Sequence, residues 1–216
     1  MFTGIIEELG KIENVRTTGG GLRLRVLAPG SAGELRVNDS VSINGVCQTV
    51  MAKNQDSFEV EAVEETLKKT TLSSLRAGYR INLELPLKLN DRLGGHLVLG
   101  HVDTVGRITR IEAKESSWLF ETQIPREFLK YVVPVGSIAI DGVSLTIAGI
   151  QDDSVHVSII PQTMENTIFK FYKINDPVNI EFDIIGKYID RLRPESGATL
   201  EEKVFLSEDH LRELGY

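Results

Sequence analysis

One cysteine, Cys47, and one tryptophan stand in 216 residues. A lone thiol cannot form an internal disulfide, so a reducing compartment is the expectation. No run approaches the ~18 apolar residues that a membrane-spanning helix needs. Met1 leads straight into Phe2-Thr3-Gly4 without a basic segment or long apolar run, so no secretory leader is expected. A cytoplasmic protein follows from these absences. Charge excludes further classes, because the net value is −7 and acidic and basic residues are mixed along the chain. Nucleic acid and anionic membrane surfaces repel such a chain unless it carries a local basic patch, and none is visible. Cys/His metal clusters, nucleophile elbows and dinucleotide fingerprints are also missing.

What the chain does have is itself, twice. Residues 97–108 read LVLGHVDTVGRI and residues 1–12 read MFTGIIEELGKI, with glycine on glycine at Gly4/Gly100 and Gly10/Gly106. Residues 41–50, VSINGVCQTV, return as IAIDGVSLTI at 138–147. The later register holds without a gap, pairing Asp56-Ser57 with Asp153-Ser154, Thr66 with Thr163, Thr70 with Thr167, and Asn82-Leu83-Glu84 with Asn179-Ile180-Glu181. A run of matches in constant register means duplication, and two copies of this length suit the usual size of a small domain.

Each copy reads as all-β. Val41-Ser42-Ile43 and residues 155–159 alternate apolar and polar side chains, the half-buried strand pattern. Asn44-Gly45 and Asp141-Gly142 predict tight turns, since both pairs tolerate positive φ. Strands are expected at 4–15, 22–27, 46–50, 57–63 and 80–85, with partners one repeat on. About six short strands per copy predict two tandem six-stranded Greek-key barrels. Helical pattern is scarce inside the copies, with one short turn-rich helix expected over 127–132. Beyond the second copy, Ile184, Ile185, Tyr188, Ile189 and Leu192 recur at helical spacing behind an Asp183 N-cap. That helix either packs on the second barrel or pairs with copies of itself; after Pro194 a second short helix is expected from Ser207, carrying Leu211 and Leu214. The domains are accordingly 1–96, 97–183 and a C-terminal helical segment, 184–216.

Candidate chemistry gathers at the junction, Gly94-Gly95-His96-Leu97-Val98-Leu99-Gly100-His101-Val102-Asp103. No helix start follows the glycines, which weakens a phosphate cradle. In a strand, His96 and His101 would point to opposite faces, which rejects a zinc pair. A strand from Val98 to Val105 would place His101 on one face with Leu99 and Asp103. A histidine at such a place is more often structural than catalytic. Here it replaces the Ile5 of the first copy and follows a glycine that lets a ligand approach. Cys47 with Thr49, and Ser144 with Thr146, share faces two residues apart; singly they would be core lining, but matched in both copies they favour two equivalent ligand sites.

These residues carry a resemblance. Met1-Phe2-Thr3-Gly4-Ile5, Asn44-Gly45-Val46-Cys47-Gln48-Thr49-Val50, the junction, Ile140-Asp141-Gly142-Val143-Ser144-Leu145-Thr146, Ile160-Pro161-Gln162-Thr163 and Ile184-Ile185-Gly186-Lys187-Tyr188-Ile189 together resemble the riboflavin synthase α-chain family of duplicated lumazine-binding barrels. The match runs in order over nearly the whole chain. It implies a dismutation in which two molecules of 6,7-dimethyl-8-ribityllumazine exchange a four-carbon unit, giving riboflavin and 5-amino-6-(D-ribitylamino)uracil, with no metal or redox cofactor. It implies a homotrimer held by the helix after the second barrel, sites between the first barrel of one subunit and the second of its neighbour, and an association with lumazine synthase.

Position by position, the resemblance implies a first pocket from Gly4, Ile5 and Ile6, from Cys47, Gln48 and Thr49, and from Glu61, Ala62, Val63, Glu64, Glu65 and Thr66. The second would use Gly100, His101 and Val102, then Ser144, Leu145 and Thr146, and Ser158, Ile159, Ile160, Pro161, Gln162 and Thr163. His101 with Ser144 and Thr146 would assist removal of the acidic proton of the lumazine C7 methyl group. Ser40 and Cys47 would place or activate a nucleophile at C7 of the partner molecule. Phe2 and Thr3 would close the interface, and Asp183 is either functional or a plain N-cap. One position departs from the pattern: many members carry lysine just before the Gly-Ser-Ile-Ala-Ile-Asp-Gly segment, where this chain has Val135. The rival reading is a non-catalytic lumazine- or flavin-binding antenna protein of the same duplicated barrel. In such proteins the Gly-His pair at the junction is lost, whereas here His96, His101, Ser144 and Thr146 all stand.

Overall fold

A computed structural model describes residues 1–193. The first copy supplies β1 (Glu8–Thr18), β2 (Gly21–Leu27), β3 (Ser40–Ile43), β4 (Val46–Lys53), β5 (Ser57–Ala62) and β6 (Arg80–Glu84). The second supplies β7 (Thr104–Ala113), β8 (Trp118–Gln123), β9 (Ser137–Ile140), β10 (Val143–Gln151), β11 (Ser154–Ile159) and β12 (Pro177–Phe182). Each set closes into an antiparallel barrel, ordered β1-β2-β5-β4-β3-β6 in one and, in the equivalent order, β7-β8-β11-β10-β9-β12 in the other. This is the expected pair of six-stranded Greek-key barrels, and closure leaves no sheet edge to protect.

The alternation seen in the sequence sorts inside from outside. Along β4, Val46, Gln48 and Val50 are buried while Cys47 is half-buried and Thr49 exposed; along β10, Val143, Leu145 and Ile147 are buried while Ser144 is half-buried and Thr146 exposed. Phe58, Val60, Ile81 and Leu83 fill the first barrel; Phe120, Val155, Val157 and Ile180 fill the second. β-Bulges interrupt β1 after Ile12 and β7 after Ile108, and likewise β4 after Val50 and β10 after Ile147. Bulges bend and twist their strands, which is how so few strands can curl shut. Both predicted turns have the required backbone: φ is +47° and +75° at Asn44-Gly45, and +43° and +78° at Asp141-Gly142.

Several expectations need correction. The first strand begins at Glu8 rather than at residue 4, and no strand covers 98–103 apart from a single bridge between Phe2 and Val98. Helix is less scarce than the pattern suggested: α1 (Pro29–Glu34), α2 (Glu64–Lys69) and α3 (Pro161–Asn166) each make one turn or two, too short to display a 3.6-residue period. Residues 126–131 form a 3-10 turn (Arg126–Tyr131). The C-terminal helix, α4 (Ile184–Leu192), is as expected, and the Asp183 side chain accepts from Ile185 N–H as its cap. The break at Pro194 and the helix expected from Ser207 lie outside the described residues.

The two barrels meet across an approximate twofold axis built from equivalent residues. Phe2 and Val98 exchange backbone hydrogen bonds of 2.7 and 3.1 Å. The turns touch, since a Cβ on Gly45 would lie 2.6 Å from Gly142 N and one on Gly142 would lie 2.7 Å from Gly45 N. Asn82 Nδ2 donates to Asp141 O (2.9 Å) and Asn179 Nδ2 to Asn44 O (2.8 Å). Each Oδ1 in turn accepts from the other copy, Asn82 from Ile168 N–H and Asn179 from Thr71 N–H, both at 2.8 Å. Buried amides satisfied at both ends fix one arrangement of the barrels, because any shift would strand several polar groups.

Candidate active site

The segment leading into each barrel crosses to the other one. Ser144 N–H in β10 donates to Gly4 O, and Cys47 N–H in β4 donates to Gly100 O, both at 2.8 Å. Ile6 then packs against the core of the second barrel and Val102 against that of the first. Gly4 and Gly100 have φ of +77° and +78°, and a Cβ on either would come within 2.6 Å of the facing Ser144 or Cys47 side chain. Glycine is required at both places for conformation and for close approach.

This exchange corrects the composition expected of the two pockets, which assumed that each copy builds its own. A cleft of about 470 Å³ is lined by Gly4, Ile5 and Ile6 together with Val143, Ser144, Gln162 and Thr163. Gly4-Ile5-Ile6 therefore belongs with Ser144 and the start of α3. Gly100-His101-Val102 belongs with Cys47 of β4. Register of the repeat cannot reveal such a swap, because exchanging two equivalent segments leaves every internal match unchanged.

A buried carboxylate holds each crossing segment. Glu84, at the end of β6, accepts from Thr3 N–H (2.6 Å), Thr3 Oγ1–H (2.7 Å) and Gly4 N–H (3.0 Å). Glu181 in β12 accepts from Leu99 N–H (2.7 Å), Gly100 N–H (2.9 Å) and His101 N–H (3.0 Å). Burial pushes both carboxyls above the usual carboxylate range, and the donated hydrogen bonds pull the other way. Both residues were in plain sight in the repeat, as a glutamate kept at one strand position in both copies. A shared strand position does not by itself tell an anchor from a wall residue.

His101 follows Gly100 on this segment with its side chain exposed, not on a strand face. The histidine that meets Ser144 is His96: its Nδ1 lies 2.7 Å from Ser144 Oγ. His96 is only 8% exposed, and among the described residues its Nε2 has no hydrogen-bond partner. Burial pulls its pKa below the ordinary histidine range, against an opposing upward pull from the Asp183 carboxylate. A neutral imidazole against a hydroxyl can take up that hydroxyl's proton. The sequence marks His96 as half of a rejected zinc pair and as one of the residues that separate the enzyme from an antenna protein, without assigning it a role. The five-residue spacing that argued against metal said nothing of its contact with a strand 48 positions on.

The other candidates fall in two groups. Ser40 pairs with Thr49 across β3 and β4, as Ser137, its unremarked counterpart, pairs with Thr146 across β9 and β10. These hydroxyls, with Cys47 and Ser144, stand on the outer faces of their barrels and not in the cores. Gln48 and Leu145, between them, point inward and are buried. Phe2 is fully buried in the seam with Val98 and Ala139, so its side chain closes the space between the barrels and not an open interface. Glu61 is engaged on the outer wall with Thr18 and Arg23, and Ser158 with Ser117. Ala62 and Ile159 lie in the barrel cores; Val63 and Ile160 are exposed and lead into α2 and α3, which carry Glu64, Glu65 and Thr66, and Pro161, Gln162 and Thr163. Val135 is 81% exposed at a φ of +62°, the place taken by Asn38 (φ +77°) in the first copy.

Known proteins bear on this arrangement. The lumazine binding domain family matches twice, at residues 3–86 and 99–183. Riboflavin synthase of Bacillus amyloliquefaciens is 41% identical over 210 residues, covering 95% of this chain and 98% of that protein. The riboflavin synthase of Bacillus subtilis is 40% identical over 213 residues (97% and 99%), and that of Saccharomyces cerevisiae 38% identical over 206 (88% and 85%). Among solved structures, LumP complexed with riboflavin superposes with a TM-score of 0.79 over 84% of this chain and 99% of that one. LumP with 6,7-dimethyl-8-ribityllumazine gives 0.77, and at 22% identity both show a shared fold alone. With two matched domains in tandem and full-length relatives near 40% identity, the chain belongs to the riboflavin synthase family of duplicated lumazine-binding barrels.

Proposed function

We propose that this chain is a riboflavin synthase: two molecules of 6,7-dimethyl-8-ribityllumazine exchange four carbons, one becoming riboflavin and the other 5-amino-6-(D-ribitylamino)uracil. The observation that carries the reading is the full-length kinship with riboflavin synthases, and the cleft in which Gly4, Ile5 and Ile6 meet Ser144 supports it. The exchange is balanced between two identical substrates, so no outside oxidant is needed. Two near-equivalent sites suit two identical molecules, and holding both rings in place removes much of the entropic barrier of a bimolecular step.

The two sites are not the same chemically. Ser144 lines the cleft of Gly4, Ile5, Ile6, Gln162 and Thr163, and the buried neutral His96 imidazole at its Oγ supplies a base, through that hydroxyl, for the C7 methyl proton of one lumazine. Thr146 and Ser137 pair farther along the barrel face that carries Ser144, and Asp183 faces His96 as a charge that favours the imidazolium once the proton is taken. Across from it stand Cys47, Thr49 and Ser40 with His101, where a nucleophile adds to C7 of the other lumazine. Backbone groups of the crossing segments and polar side chains of α2 and α3 read the pyrimidinedione edge and the ribityl hydroxyls.

In this reading the working site is shared between subunits. One barrel's site meets the other barrel's site of a neighbour in a homotrimer, and the exposed apolar row of α4 makes the joint. A cytoplasmic protein that can associate with lumazine synthase fits the same reading; no described helix is long and apolar enough to cross a membrane. Incubating the purified chain with the lumazine should give riboflavin fluorescence at one riboflavin per two lumazines consumed. Tight lumazine binding with no riboflavin would instead identify an antenna-type binding protein, the reading favoured only by the LumP fold likeness.

A further inference from the structure

The two crossing segments are clamped alike by three successive residues, Leu83-Glu84-Leu85 and Ile180-Glu181-Phe182. Two points differ: the third donor to the central carboxylate is the Thr3 hydroxyl at Glu84 but His101 N–H at Glu181, and the second clamp gains a cation. In the first copy, Glu7 N–H donates to Leu83 O (2.9 Å), Glu84 holds Thr3 and Gly4, and Leu85 N–H donates to Glu7 Oε1 (2.9 Å). In the second, Asp103 N–H donates to Ile180 O (2.9 Å), Glu181 holds Leu99, Gly100 and His101, and Phe182 N–H donates to Asp103 Oδ2 (2.9 Å). To this second clamp the chain adds a cation. Lys187 Nζ, from α4, lies 2.8 Å from Asp103 Oδ1 and 2.6 Å from Oδ2. Among the described residues Glu7 has no such ion pair.

The pair is well placed to matter. Its side chains are 21% and 18% exposed, so solvent screens it less than the surface bridges of the barrel walls. Asp103 is two residues from His101, and both are tied to adjacent residues of β12. Lys187 also faces Glu181 closely enough to favour its ionised form, the form that accepts three N–H groups at once. Without the ammonium, two carboxylates, Asp103 and Glu181, would stand together uncompensated.

We propose that Lys187 is a positioning residue for His101, acting from helix α4 through Asp103. The inference rests on the reading of His101 as part of the working site. It implies that the helix outside the duplicated barrels sets the geometry of the segment that carries His101 where the first copy has Ile5. Misplacing a reacting group by a fraction of its contact distance lowers turnover with little effect on binding.

The test is Lys187→Met beside Lys187→Arg, with steady-state kinetics and NMR of ring-labelled histidine. Expected for Lys187→Met is a kcat lower by about tenfold or more with KM within about twofold. The His101 ring resonances should shift, those of His156 on the far wall should not, and Lys187→Arg should recover most of the turnover. Wild-type kcat and an unmoved His101 signal in Lys187→Met would overturn the proposal. Should Lys187→Met fail to fold with Asp103 left unpaired, the double variant Asp103→Asn/Lys187→Met removes both charges. It should fold, shift His101 and remain slow; full turnover there would also overturn the proposal. If wild-type protein makes no riboflavin, the functional reading fails by itself, and the His101 shift still decides the positioning.

Discussion

At the scale of single residues, Val135 stands out by its backbone. A β-branched side chain at positive φ is a true outlier, and the left-handed conformation costs an L-residue roughly 1–2 kcal/mol. The equivalent residue of the first copy, Asn38, and also Asn175, adopt the same conformation with a side chain that tolerates it. Among the described residues nothing offsets the cost at Val135: the side chain is 81% exposed, and its N–H makes the same kind of contact, to Ile147 O, that Asn38 makes to Val50 O. Val135→Asn should therefore raise stability by about 1 kcal/mol, a shift in Tm of about 2–4 °C for a chain of this size. Scanning calorimetry of the two proteins side by side measures it, and an unchanged or lower Tm would mean that the strain is relieved elsewhere. The sequence flagged this position only as a departure from a family lysine; its conformation could not be read from its neighbours.

At the scale of elements, the repeat made most of the fold legible. Strands announced themselves by alternation and the hairpins by Asn44-Gly45 and Asp141-Gly142, because those signals are local. What stayed hidden is non-local: the crossing of residues 4–6 and 100–102, the Glu84 and Glu181 anchors, and the contact of His96 with Ser144. The turns themselves hold an asymmetry of one atom. Asn44 Oδ1 accepts from Asn82 N–H, and Asp141 Oδ1 accepts from Asn179 N–H in the same way, but Asp141 Oδ2 also accepts from the Tyr172 hydroxyl. Burial raises the Asp141 carboxyl from 3.8 to about 7. The unfolded chain loses this proton near pH 4 while the fold keeps it to about pH 7, so stability falls as pH rises across that window. The slope for one such group is up to about 1.4 kcal/mol per pH unit. Asp141→Asn should remove that contribution. Its Tm relative to wild type is expected to climb between about pH 4 and 7 and then level off; a difference that stays flat with pH would place the titration elsewhere.

At the scale of the whole molecule, the proposed homotrimer turns on α4, which in that reading joins two half-sites into one. Ile185, Tyr188, Ile189 and Leu192 form an apolar row at i, i+3, i+4 and i+7, each more than half exposed, on a nine-residue helix. A helix this short is marginal in water without a partner on its apolar face. Its polar side is already engaged, with Lys187 on Asp103 and Asp190 on Lys130. The remaining face suits a second copy of the same helix, which would bring one subunit's Ser144 cleft toward its neighbour's Cys47 and His101. Ile189→Asp would place an unpaired charge in that joint and should disperse the assembly, seen by light scattering as a fall toward the mass of one chain. Each barrel would still fold, because neither hydrophobic core includes α4, and lumazine should still bind, but turnover should fall by orders of magnitude because the two rings no longer meet. Full turnover from a dispersed variant would place both lumazines within one chain and would remove the need for the shared site.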